Sequence, residues 1–248
     1  MDGLSRPDVA PNVPPPLPSP LAVIASLFSA PTLAFEALRA RPRWWLALAI
    51  LMASSLTVQM VVVRHMDMAG TVRERLESSA RGRELSEAQI EQAIEQGQRF
   101  APLGVVVGVL ASPVVLLVIS AVYFLGLKLA GSQVEFKPVF ATTLHAMLPP
   151  GVIGGVLTAV VVAQKGTLTA SAVGHAVKSN LAAFLSPGAP AALRSVAQVL
   201  DVFNLWMWVL LAIGLSIAGR IPRARAATVV AVVWLGWAGI RAVTGALF

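Results

Sequence analysis

Five long apolar blocks constrain this chain more than any other feature. They occupy residues 44–63, 102–127, 139–163, 202–219 and 226 to the end, and each is about as long as the roughly 20 residues a helix needs to cross a bilayer. The rest of the composition agrees: 56% of the residues are hydrophobic and 12% charged, against roughly 25% charged in an ordinary soluble domain. That much apolar side chain needs lipid around it. The expected fold class is all-α, a polytopic membrane protein built as a five-transmembrane-helix bundle.

Several chemistries are excluded or disfavoured at once. With no Cys, disulfides, thiolate nucleophiles, iron–sulfur clusters and Cys-ligated zinc are unavailable. The net charge of +7 comes from Arg crowded beside apolar blocks, without an aromatic-interleaved basic face, so it points to membrane flanks and not to nucleic acid. A Gly-rich phosphate cradle with Lys and Ser or Thr is missing too.

Outside the blocks, the chain divides cleanly. Residues 1–20 carry Pro7, Pro11, Pro14, Pro15, Pro16, Pro18 and Pro20 and read as a disordered, proline-rich tail. Residues 21–43 read as an interfacial amphipathic helix: Ile24, Leu27, Phe28, Phe35 and Leu38 recur at helical spacing, and Arg39, Arg41 and Arg43 follow. A signal peptide is a poorer reading because the stretch follows a proline-rich, acid-containing start and is interrupted at Pro31. Residues 44–248 form the five-span membrane domain.

Within that domain, Pro113 is expected to kink the second span, and Pro149, Pro150 and Gly151 to break or sharply bend the third. Residues 64–101 hold seven of the twelve acidic residues and six Arg, so this insert lies in water. Ser86 and Gln89 make a capping box that starts a helix at Glu87, with Ile90, Ile94, Gly97 and Ala101 as its packing face. Arg73, Glu77 and Arg81 stand at helical neighbour spacing before it. Together they predict a charged helical hairpin. Residues 164–200 form a small, polar second loop with surface helices.

Basic residues set the orientation. An amino terminus in the cytoplasm places Arg39, Arg41, Arg43, Lys128, Lys137, Arg220, Arg223 and Arg225 inside, in short turns, while most outside cations are diluted in the acidic insert. The carboxyl terminus is then outside, and a bacterial inner membrane is the expected location.

Polar groups at membrane depth are costly and deserve the functional question first. His145 stands four residues before Pro149; it could carry a proton, bind a ligand, or, as the simpler reading, donate to a carbonyl freed by the broken helix. Asp201 heads the fourth span, with Gln198 and Asn204 three residues either side, which would put all three on one helical face. A solvated helix-end carboxylate is the simpler alternative. Arg241 sits at matching depth and is the expected partner of Asp201. His145, Pro149, Asp201, Asn204 and Arg241 thus form the candidate ligand or coupling site. Gly104 with Gly108, and Gly151 with Gly155, are spaced for close helix contact within the bundle. The three histidines fall in different environments, so neither a hydrolytic triad nor a metal cluster is expected. No catalytic residue and no cofactor is predicted.

Three stretches resemble the Yip-domain family, the Ypt/Rab-interacting membrane proteins and their bacterial relatives. They are SLFSAPTLAFEALRARPRWW, FLGLKLAGSQVEFKPVFATTLHAMLPPG and LDVFNLWMWVLLAIGLSIAGRIPRARAATVVAVVW. They cover about a third of the chain, in the order the family shows. The resemblance implies a five-helix fold with a cytosolic amino terminus. Eukaryotic members are tied to vesicle traffic and membrane shape, but the Ala, Val and Arg usage here looks bacterial, and the 64–101 insert departs from the minimal pattern. The expected function is that of a non-enzymatic scaffold or partner-binding component in membrane organisation. Its expected partners are the lipid bilayer and a protein at the insert or the cytoplasmic face. The alternative is a small transporter or lipid-handling protein using a broken third span.

Overall fold

The computed structural model describes residues 18–78, 85–186 and 188–247. Most of the expected proline-rich tail, and Arg81 of the charged series, lie outside them. The described chain forms ten α-helices: α1 (Pro20–Ser29), α2 (Pro31–Ala40), α3 (Trp45–Arg64), α4 (Met68–Ser78), α5 (Glu87–Leu129), α6 (Phe136–Lys165), α7 (Ala170–Gly174), α8 (Ala191–Val199), α9 (Val202–Gly219) and α10 (Arg223–Leu247), with a 3-10 turn at Leu181–Phe184. Five of them, α3, α5, α6, α9 and α10, are long and apolar enough to cross a membrane.

Helix α6 is the hub, packed between α3 and α9; α10 lies on α8 and α9, and α5 rests against α3, α6 and α10. Of the break or sharp bend expected in the third span, the break is not there. Helix α6 runs unbroken through Pro149 and Pro150 for 30 residues. Each proline removes only the donor to the carbonyl four residues back, those of His145 and Ala146, while the helices on either side hold the turn in place. Helix α5 is likewise continuous for 43 residues through Pro102 and Pro113. There the remedy is local: Pro113 cannot donate to the Val109 carbonyl, and the Ser112 hydroxyl donates to it instead at 2.7 Å.

Residues 20–40 form two helices where the periodicity predicts one. Ser19 caps α1, its hydroxyl accepting from the Ala22 amide at 3.2 Å, and Pro20 occupies the first turn. Pro31 then bars the α conformation at Ala30, which sits at φ −144°, ψ 62°, so the helix stops and restarts. Both pieces dock on the bundle. Val23, Leu27, Ala34, Phe35 and Leu38 are buried in one cluster with Leu210, Leu211 and Leu215 of α9. Phe35 fits over Gly214, where an added Cβ would lie 2.8 Å from its ring and 2.6 Å from Thr142 Cγ2.

The insert is an ordered hairpin in its described parts. Asp67 caps α4 through the Gly70 amide at 2.8 Å, and the capping box at Ser86 starts α5 as the sequence indicates. Gly97 faces Met68 and Val72 of α4, so the predicted small residue serves close packing. Hydrogen bonds tie this hairpin to the second loop. Asp67 N donates to Leu168 O at 2.8 Å and Leu168 N to His65 O at 2.9 Å. Ala170 N donates to Thr71 Oγ1 at 3.0 Å, and Ser171 Oγ to Glu74 Oε2 at 2.8 Å.

The two glycine pairs differ. Gly151 and Gly155 meet Leu51 and Val58 of α3, as expected for close helix contact, but a Cβ at Gly104 or Gly108 would meet nothing within 4 Å. Helix α5 buries Val105 and Val109 instead. Each glycine lies one residue, about 100°, round the helix from that face, so this pair does not pack within the chain.

Candidate functional site

Three of the sequence-predicted site residues, Asp201, Asn204 and Arg241, lie at the end of the bundle that carries the insert. The second loop returns there as a short antiparallel bridge: Leu181 N donates to Leu200 O at 3.0 Å and Val202 N to Ser179 O at 3.1 Å. This places Ser179 over the start of α9, where Asp201 is the N-cap. One Asp201 oxygen accepts from the Phe203 amide at 2.8 Å and the other from the Ser179 hydroxyl. Asn204 Nδ2 donates to Val199 O at 3.0 Å, closing the α8–α9 corner. The carboxylate is therefore held as the α9 cap, with a protein donor on each oxygen.

Gln198 does not share a helical face with Asp201 and Asn204. It belongs to α8, which ends at Val199, and the chain turns at Leu200 before α9 begins. Its Oε1 accepts from Arg241 Nη2 at 3.2 Å, and its Nε2 lies 3.2 Å from His175 Nε2. His175 Nδ1 is 2.8 Å from the Ser171 carbonyl; donating there leaves Nε2 to accept from Gln198. Arg241 thus reaches Gln198, while Asp201 is held by Ser179 and Phe203. The two belong to one polar cluster through different partners.

His145 stands apart from this cluster. It is 2% exposed, its Nδ1 bonds the Ala141 carbonyl at 2.8 Å, and it borders a cavity of about 20 Å³ with Arg41 and Arg43 at the opposite end of the bundle. The carbonyl it bonds is a full turn before the one that Pro149 leaves without a donor. Pro149 is fully buried. The five predicted site residues therefore do not converge.

A larger feature lies between them. A cleft of about 430 Å³ opens between α5 and α9, floored by Pro150 and Gly151 of α6, with Ser55 of α3 and Ser112 of α5 on its walls and Asn204 at its α9 side. Its hydroxyls are already engaged: Ser55 Oγ accepts from Gln59 Nε2 at 3.0 Å and Ser112 bonds Val109. A second, adjoining cleft of about 290 Å³ separates α3 from α6 along Ser54, Ser55 and Gln59. Among the described residues no three His, Asp or Glu are grouped to hold a metal.

Sequence reasoning found Asp201, Asn204, Gln198 and Arg241 but missed Ser179 and His175, which complete the cluster. Their partners lie 22 and 23 residues away, and a polar loop carries no periodicity that would single them out.

Five apolar helices with α6 as their hub, flanked by amphipathic helices and capped by charged loops, define an integral, all-α polytopic membrane protein. The Yip1 domain matches residues 25–240, and the chain belongs to that family of membrane proteins. It is not a family of enzymes. No curated protein and no solved structure matches the chain.

Proposed function

We propose that this Yip-family protein is a non-enzymatic scaffold that presents a protein-binding platform at the membrane surface. The observation that carries this reading is the tie between the charged insert and the second loop. Four hydrogen bonds across about a hundred residues of sequence, among them Ala170 N to Thr71 Oγ1 and Ser171 Oγ to Glu74 Oε2, fix two extramembrane segments against one another. A loop that only connected spans would not need such bonds, because its backbone groups could be satisfied by water. The exposed α5 residues Glu87, Glu91 and Glu95 then offer acidic side chains on a rigid support. The engagement of His145 and Asp201 in backbone contacts supports a reading without catalysis.

The orientation that suits this reading puts the amino terminus in the cytoplasm and the platform outside, in a bacterial inner membrane. It is supported by Arg39, Arg41, Lys128, Lys137, Arg220, Arg223 and Arg225, all exposed, at the end of the bundle opposite the insert.

Photo-crosslinking residues placed at Glu91 and Glu95 in intact cells test the proposal. Both positions should capture the same protein, and charge reversal at Glu91 and Glu95 together should abolish its co-purification with the wild-type spans. Adducts with lipid or with unrelated abundant proteins only would overturn it.

A further inference from the structure

We infer that the cleft between α5 and α9 is a binding site for one acyl chain of a membrane lipid whose headgroup carries N–H or O–H donors. The cleft lies along membrane-crossing helices, so what surrounds it is hydrocarbon and not water. From Gly108 to Ile119, both on its wall, it runs about 16 Å along α5 at 1.5 Å per residue, a length suited to an extended lipid tail. Its volume of about 430 Å³ is that of a groove for a single chain.

The lining supports the same occupant. Leu51, Leu116, Ile119 and Met207 are apolar, and Met207 offers the adaptable surface a flexible chain needs. Ser112 lines the cleft with its hydroxyl donated inside its own helix, and Ser55 Oγ accepts from Gln59 Nε2, so both hydroxyl oxygens on the wall already have a partner within their own helices. Gly108 has no Cβ and nothing within 4 Å of where one would stand, which keeps the cleft open on the α5 side. The exception is Asn204. Its Nδ2 is used on Val199, while its Oδ1 has no hydrogen-bond partner among the described residues and is not among the buried unpaired atoms. It stands on the first turn of α9, close to the polar boundary, where it can accept from a lipid headgroup such as the ammonium of phosphatidylethanolamine.

The geometry of α5 supplies the test. Gly104 and Gly108 are equally open to a new side chain, but only Gly108 lines the cleft. The full chain is reconstituted in vesicles of phosphatidylethanolamine and phosphatidylglycerol, extracted gently and weighed by native mass spectrometry. The wild type and Gly104→Phe should retain a lipid, and Gly108→Phe should lose it while keeping the wild-type circular dichroism. A diazirine-tailed phosphatidylethanolamine provides a measurement on the unaltered protein. Its adducts should concentrate at cleft residues such as Val115, Ile119 and Met207, over Val106 and Leu110, which are exposed on α5 outside the cleft. Absence of retained lipid in the wild type, retention by a folded Gly108→Phe, or adducts spread evenly along α5 would each overturn the inference. So would a disulfide-linked dimer of Gly108→Cys in membranes, since the chain has no other Cys and a second copy would then occupy the cleft.

Discussion

The Ser132 hydroxyl donates to the Gly219 carbonyl at 2.7 Å and accepts from the Val134 amide at 3.2 Å, joining the ends of two spans 87 residues apart. Both ends close in the same way. After α5, Ser132 N donates to Leu127 O and Gly131 N to Lys128 O, with Gly131 at φ 86°. After α9, Ile221 N donates to Ser216 O and Arg220 N to Ile217 O, with Arg220 at φ 51°. These are paired Schellman motifs, and Ser132, 2% exposed, satisfies a carbonyl left over by the second.

Replacing Ser132 by Ala should therefore cost about 1–3 kcal/mol, because Gly219 O and Val134 N–H would stay buried without a partner. Thermal unfolding in detergent measures this. An unchanged midpoint would show that the bond contributes nothing to holding α5 and α9 together.

Phe35→Ala should destabilise the docking of α1 and α2 by about 3–5 kcal/mol, the usual range for removing a fully buried aromatic ring; Phe35 is 1% exposed. Gly214→Val should act on the same contact from the other side, since its Cβ would sit within 3 Å of the Phe35 ring. Limited proteolysis should cut both variants near Arg39–Arg43 faster than the wild type. Equal cutting rates would mean these helices are not held by that contact.

At Asp201 the structure separates a capping role from a charge role. Asp201→Ala should lower stability by about 0.5–2 kcal/mol, whereas Asp201→Asn should retain most of it, because an amide oxygen caps nearly as well. If the Asn variant is as unstable as the Ala variant, the negative charge matters in itself and the cap account is insufficient.

Reporter fusions fix the orientation. A periplasm-active reporter should work after residue 85 and at the carboxyl terminus and be silent after residue 225. The reverse pattern would invert the proposed topology and move the platform to the cytoplasmic face.

The sequence by itself determined the number, type and placement of the spans. The fourth runs over residues 202–219 in both readings, the capping box starts α5 at Glu87, and Gly97, Gly151 and Gly155 lie at helix contacts as their spacing indicates. These features are local: hydrophobic length, a cap three residues wide, small residues at a repeat. What only the tertiary structure decided depends on which helix lies beside which. Pro149 and Pro150 do not break α6, because neighbouring helices hold a turn that would open in isolation. Gly104 and Gly108 border open space because α5 turns its Val105 and Val109 face inward. Asp201 and Arg241 were legible as costly polar residues, but Ser179 and Gln198, which hold them, reach those positions only through folding. Lipid supplies no hydrophobic force that would choose one apolar face over another. Packing shape and a few long-range hydrogen bonds make that choice, and neither has a periodicity that can be read along the chain.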